Sequence, residues 1–396
     1  MTMENRDTID IGNHSHKHEV EKLLMKLNKP AVKSIKSPDG DTIDCVAILD
    51  QPAFDHPKLK NHKIQMRPNF GPQDNKILEE SEISSKSKTI HQLWHHSGSC
   101  PESTIPIRRT REDDILRAGF IQRFGEKNLK NNFISPSVGA QGHYEYALVF
   151  LKGNKYYGAK GTMNVWNPRV QQSQEFSLSA IRILNDADSE NLEIIEAGWQ
   201  VNPELYGDTN TRLYTFWTSD SNENTGCYDL LCSGFVQVNA EVALGSSIKP
   251  LSIYNDINSQ YQITITIWKD RGSGDWWMLL GSDKLIGYWP STLFSSLSDS
   301  VTVIEWGGEV LNSEANGQHS TTQMGSGHFP GEEYGKASYF KDIKFVNGNN
   351  QMLTADNVVS YVDRSNCYNV LQPAFSDNAW GSHFYFGGPG RNPNCP

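Results

Sequence analysis

Beyond His143 the chain runs as short apolar and aromatic stretches separated by turns rich in Gly, Asn, Asp and Pro. The stretches fall at 144–151, 155–168, 175–184, 192–201, 212–218, 234–238, 260–270, 275–281, 284–290, 302–311 and 337–346. In the 260–270 stretch Tyr261, Ile263, Ile265 and Ile267 alternate with Gln262, Thr264, Thr266 and Trp268. That is the period-2 pattern of a half-buried strand. Only 290–297 suggests a short helix. Many short strands at this spacing predict an all-β sandwich or barrel. The spacing is too irregular for a solenoid or a propeller.

The region before His143 has a different pattern. Residues 1–17 are polar and predict a disordered tail, with a glycosylation sequon at Asn13. In 18–28, Val20, Leu23, Leu24 and Leu27 fall on one helical face, and Asn28-Lys29-Pro30 stops the helix. A turn at SPDGD leads into the strand TIDCVAIL, so this part reads as a smaller mixed α/β unit. Residues 71–90 are polar and predict a loose segment. The Asn/Ser/Pro-rich stretch around 125–142 marks the main boundary. The expected organisation is a tail (1–17), a first domain (18–124), a linker (125–142) and an all-β domain (143–396).

Composition narrows the function classes. The chain has 396 residues and a formal net charge of -10. Its mean hydropathy is -0.55. The first third is close to neutral and the rest strongly acidic, which argues against a nucleic-acid surface. No stretch is long and apolar enough to span a membrane as a helix. The N-terminus lacks the apolar core of a signal peptide, which taken literally predicts an intracellular protein. The six cysteines point the other way. Cys227/Cys232 and Cys367/Cys395 are close in sequence, and Cys45 and Cys100 remain in the first part. Three disulfides, Cys45–Cys100, Cys227–Cys232 and Cys367–Cys395, imply an oxidising compartment; six free thiols are the alternative.

The chemistry candidates are acids set in aromatic strands. Glu196 sits in IIEAGW, and Glu305 and Glu309 sit in VIEWGGEV. Burying an acid as a charge is costly, so such a residue faces solvent, is paired, or has a shifted pKa for a purpose. Two carboxylates brought together share a proton and can run hydrolysis without a metal, one taking a proton from water and the other donating to the leaving nitrogen. The plainer reading is that they are surface acids. Other constellations are weaker. No G-x-S-x-G elbow accompanies the serines and histidines. His319 and His328 lack a carboxylate at helical spacing, the HSHKH tail is an ordinary polar run, and no cofactor or metal is expected. Nine of the ten tryptophans lie beyond His143. They serve a sandwich core or, alternatively, a carbohydrate-binding face.

Long motifs then carry a resemblance. LNKPAVKSIKSPDGDTIDCVAILDQPAFDHPKLKNHKIQMRP and HQLWHHSGSCPESTIPIRRT resemble the activation-peptide domain of the plant neprosin family. GTMNVWNP, IEAGWQVNPELYGDTNTRLYTFWTSD, TGCYDLLCSGFVQ, IGYWPSTLF, WGGEV and TTQMGSGHFPGEEYGKASYF resemble its peptidase domain. The resemblance implies an antiparallel β-sandwich and a secreted glutamic endopeptidase, extracellular or in the cell wall. Such an enzyme is made as a zymogen and cleaves peptides and proteins after proline at acidic pH. It implies catalytic glutamates at Glu196 and Glu309, with Glu305 the lesser choice. The prodomain would be the intramolecular inhibitor, released by cutting in the linker. The cluster Arg108, Arg109 and Arg111 is a candidate for its contact with the acids. Tyr214, Trp217, Tyr288 and Trp289 are candidates for an apolar wall against a prolyl ring. An inactive or carbohydrate-binding cell-wall sandwich is the alternative.

Overall fold

The computed structural model describes residues 17–74, 90–118, 124–127, 142–185, 191–313, 318–372 and 380–396. The expected tail with Asn13, most of the loose 71–90 segment and most of the 125–142 linker lie outside the described residues.

The amphipathic pattern near the N-terminus forms helix α1 (17–27). Three antiparallel strands follow: β1 (Ala31–Lys36), β2 (Thr42–Ala47) and β3 (Thr104–Arg108), with β2 in the middle. Helix α2 (Glu112–Arg117) closes this part, its three first-turn acids complementing the positive end of the helix.

The remainder is a mostly antiparallel pair of β-sheets. The seven-stranded sheet is built on β4 (His143–Tyr156), β5 (Ser177–Leu184), β6 (Ile194–Val201), β7 (Arg212–Thr218) and β8 (Val301–Asn312). Its spatial order is Cys227–Tyr228, β7, β6, β5, β8, β4, Val359–Val362. The ten-stranded sheet contains Gly158–Asn164, Gln262–Lys269, Trp276–Leu280, Lys284–Trp289 and Ser338–Val346. Of the expected helix at 290–297, a single 3-10 turn at Ser291–Leu293 forms. A short helix at Pro203–Tyr206, started by Pro203 and capped by Asn202, was not apparent from the pattern.

Alternation assigns the faces. Ile181, Ile183, Ile195, Ala197, Trp199, Leu213, Trp217, Ile304, Trp306 and Val310 turn toward the other sheet and join its Ile263, Ile265 and Ile267 in one core. The opposite face of the seven-stranded sheet carries Leu178, Ala180, Ile194, Tyr214 and Phe216, which pack with Val20, Leu27, Ile115 and Phe124 of the first part. Every residue of β6 and β7 is therefore buried on both sides. The same covering explains why Gln262–Lys269 is not half-buried. Thr266 and Trp268 are also enclosed, and the Trp268 indole donates to the Phe70 carbonyl at 3.0 Å. The first part thus wraps both outer faces of the sandwich. Disulfides join Cys45–Cys100, Cys227–Cys232 and Cys367–Cys395.

Candidate active site

The outward face of the seven-stranded sheet holds a charge cluster that its register assembles. Arg182 on β5 lies directly opposite Glu196 on β6, and on its other side directly opposite Glu305 on β8. Glu309, four residues along β8, lies opposite Leu178 and Tyr146 on the same face. One arginine therefore stands between strands that each carry an acid. Its Nε donates to Glu196 Oε2 at 2.6 Å, its Nη1 to Glu305 Oε2 at 2.9 Å, and its Nη2 to Glu309 Oε2. The guanidinium also sits 5.3 Å from the centroid of the Tyr146 ring.

A second cation comes from the first part of the chain. Lys127 Nζ is 2.8 Å from Glu309 Oε2 and 3.4 Å from Glu196 Oε2. The two carboxylate oxygens are consequently no more than about 6 Å apart, within the span of a single bridging ammonium or water. The lysine is enclosed by Tyr144, Phe176 and Phe216, whose centroids lie 5.6–5.9 Å away. The backbone holds it there: Asn222 donates to the Lys127 carbonyl, and the Tyr228 N–H donates to that of Gly125 at 2.8 Å.

Glu196 is fully buried. Its other oxygen accepts the Tyr214 hydroxyl at 2.6 Å. Burial alone pushes this carboxyl up, but Arg182, then Lys127 and the Tyr214 hydrogen bond, more than reverse that and bring it down to about 2. Glu305 goes the other way. Burial raises it, Arg182 opposes, and the neighbouring carboxylates Glu309 and Glu196 add to the rise. Glu309 is as buried as Glu196, yet its Oε1 has no hydrogen-bond partner among the described residues. A small cleft opens beside it, lined by Tyr146, Leu148, Leu178, Ala180, Arg182 and Glu305.

Gly198 lets β5 and β6 approach closely enough for this arrangement. A Cβ there would fall 1.9 Å from the Ser179 carbonyl oxygen and 2.8 Å from Ala180 Cα, both backbone atoms. Gly198→Ala is expected to cost about 1–3 kcal/mol, read as a lower denaturant midpoint of the full-length chain. An unchanged midpoint would mean that the strands can part without loss.

The structure therefore brings Glu196, Glu309, Glu305 and Tyr214 together. It does not bring Trp217, Tyr288 and Trp289 to them, which corrects the expected four-residue apolar wall. Trp217 follows Phe216 on β7 and so points to the opposite face, where it packs edge-on against Phe294. Tyr288 and Trp289 belong to the other sheet; Tyr288 packs on Trp277 and Trp289 on Phe235. The Tyr288 hydroxyl meets His62 at 2.7 Å. The arginine cluster is also placed elsewhere. Arg108 pairs with Asp41 and Asp114, Arg109 with Asp44, and Arg111 with Asp114, because these acids lie nearer on the same unit. Lys127 is the cation that reaches the glutamates. Lys127 and Arg182 were both missed in the sequence. Arg182 left one signal, a lone charge at an outward position of an otherwise apolar strand; Lys127 left none.

Comparisons with known proteins find two family matches along the chain. Residues 173–389 match the family described as Neprosin, and residues 34–150 match the Neprosin activation peptide. Among solved structures the chain is similar to scytalido-glutamic peptidase with a peptide-based transition state analog, at 12% identity and a TM-score of 0.35, covering 63% of this chain and 99% of that one. It is similar to SCP-B, a member of the eqolisin family of peptidases, in complex with the tripeptide Ala-Ile-His, at 12% identity and a TM-score of 0.34, covering 62% and 98%. It is also similar to the Ruminococcus gnavus IT-sialidase CBM40, at 8% identity and a TM-score of 0.20, covering 44% and 92%. With the family match spanning more than half of its length and an activation peptide ahead of it, the chain belongs to the neprosin family.

Proposed function

We propose that this protein is a latent glutamic endopeptidase, secreted to an oxidising compartment, that cleaves peptides and proteins after proline at acidic pH. Glu196 and Glu309 are its catalytic pair. The observation that carries the reading is the single Lys127 ammonium seated between these two buried carboxylates, contributed by the part of the chain that includes the activation peptide. An ammonium between two carboxylates stands where a water and a scissile peptide would have to be. The first part, 18–124, with the segment that follows it through Lys127, then acts as an intramolecular inhibitor, and cutting within 125–142 beyond Lys127 releases it.

The chemistry follows from the hydrogen bonds. Glu196, held ionised by Arg182 and Tyr214, takes a proton from the water as it attacks the peptide carbonyl. Glu309 delivers the proton that the departing nitrogen needs. The electron pair of the C–N bond leaves with that nitrogen, and the products are a carboxylic acid and an amine. Arg182, beside both acids, stabilises negative charge developing between them.

The test is to acidify the full-length chain to about pH 3 and follow a proline-containing peptide beside a matched peptide with alanine in place of proline. A shorter fragment starting within 125–142, together with cleavage on the carboxyl side of proline alone, is expected. Cleavage of both peptides would remove the proline preference. An intact full-length chain with full activity would remove the inhibitory role of the first part.

A further inference from the structure

We propose that Arg182 is a positioning residue of the glutamate pair: one guanidinium, clamped from the far side by Glu305, fixes Glu196 as the ionised partner and keeps Glu309 beside it after Lys127 has left. The inference rests on the catalytic reading of Glu196 and Glu309 and adds two residues to it.

Three features carry it. First, register gives Arg182 a place that no other cation on this sheet face has among the described residues, directly opposite Glu196 on one side and directly opposite Glu305 on the other. Secondly, its donors are divided among three carboxylates, Nε to Glu196, Nη1 to Glu305 and Nη2 to Glu309. A planar guanidinium presents these donors from three nitrogens in a fixed fork, whereas an ammonium offers its donors from a single point. Thirdly, Lys127 and Arg182 differ in permanence. Lys127 lies within the region matched by the activation peptide and reaches the site from outside the sheet. Arg182 belongs to β5, between the two acid-bearing strands, and stays.

Glu305 has a role in this arrangement that neither hydrolytic step requires. It accepts from the guanidinium on the side away from Glu196, so that Arg182 cannot swing toward either partner alone. Tyr146 covers the guanidinium face and limits its movement out of the plane.

The groups facing Glu196 are Arg182 from β5, Tyr214 from β7, Tyr228 from the adjoining strand, Tyr144 and Tyr146 from β4, Glu305 and Glu309 from β8, and Lys127. Without Lys127, Arg182 is the remaining cation among them. Removing it leaves burial and two acidic neighbours, which favour the protonated form of Glu196, against the Tyr214 hydrogen bond, which favours the ionised one. A base must be ionised to act, so the acid limb of kcat/KM must then move to higher pH.

Two measurements test this on wild type, Arg182→Gln, Arg182→Lys and Glu305→Gln. The first is carboxyl carbon NMR of the glutamate-labelled chain freed of its first part and Lys127 by added protease, with Glu196→Gln assigning the Glu196 resonance. The wild-type midpoint is expected below the ordinary carboxyl value, held there by Arg182 and the Tyr214 hydrogen bond. It should rise by about one to three pH units in Arg182→Gln and by less, in the same direction, in Arg182→Lys, which supplies the result if the glutamine variant does not fold. The second is the pH profile of kcat/KM after maturation, where the acid limb is expected to move up by a similar amount in Arg182→Gln and by less in Glu305→Gln. An unmoved Glu196 midpoint in both arginine variants would overturn the proposal. The titration does not depend on turnover. A shifted midpoint in a protein that cleaves nothing would sink the peptidase reading alone; an unshifted midpoint in an active enzyme would sink the role of Arg182 alone.

Discussion

Glu196→Gln and Glu309→Gln are each expected to lower kcat/KM of the matured enzyme by about 10²- to 10⁴-fold, while the chain still folds. The loss follows from what each side chain must do. Glutamine keeps the size of Glu196 and can still accept the Tyr214 hydroxyl, but it cannot take a proton from water. At Glu309 an amide has no acidic proton to deliver to the departing nitrogen. Folding should survive because three carboxylates face only two cations in the closed cluster, so neutralising one acid leaves the remaining charges balanced. The double variant should lose little more than either single one, since two groups that act on one water fail as a unit. Initial rates on a proline-containing peptide at about pH 3, with thermal melts as the folding control, check this. A Glu196→Gln enzyme retaining more than a tenth of wild-type activity would remove the residue from the mechanism.

The sequence carried the strands and the two acid motifs because both are local. Alternation of Ile263, Ile265 and Ile267 is visible within a few residues, and so is an acid set between Ile195 and Trp199. The face on which a side chain ends depends on parity, and for Glu196 and Tyr214 parity agrees with their meeting. It also excluded Trp217, one position beyond Phe216, whose aromatic character had suggested a substrate wall. The tryptophans that offered a sugar platform were ambiguous for the same reason. Trp199, Trp276, Trp277, Trp289 and Trp306 are enclosed in the core, and composition alone does not separate a core indole from a binding one. Lys127 lay beyond local reading altogether. Its role arises from a backbone path that brings residue 127 against residues 196 and 309, and a lysine flanked by Glu126 and Asn128 has no pattern of its own. Arg108, Arg109 and Arg111 formed the more conspicuous basic run, yet their partners are Asp41, Asp44 and Asp114. Charge runs show where cations are plentiful, and the fold decides which one is buried beside an acid.

Lys127→Met is expected to weaken the closed, latent form by about 3–5 kcal/mol, the cost typical of removing one partner from a buried ion pair. The closed-to-open ratio would then fall by two or more orders of magnitude. The methionine can still occupy the ring-lined space among Tyr144, Phe176 and Phe216, so packing is largely retained and the lost charge is what the experiment reads. The wild-type pH dependence has a defined sign. In the closed form Glu196 is depressed from its ordinary value of 4.5 to about 2. A carboxyl depressed in one state stabilises that state fully above the undepressed value and loses the contribution as pH falls through the depressed one. Arg182 supplies the larger part of that depression and remains in the open form, so the share owed to Lys127 is full at neutral pH and is lost as pH falls toward about 2, the direction that an acid-activated zymogen requires. In Lys127→Met this contribution is missing at every pH, so opening and self-cleavage should already proceed at pH 5–6, where wild type stays whole. Time courses of fragment appearance across pH 2–7, with Lys127→Met in a Glu196→Gln background to separate opening from self-cleavage by added protease, measure both steps. If Lys127→Met remains intact and latent over the same pH range as wild type, the lysine is not what holds the site closed.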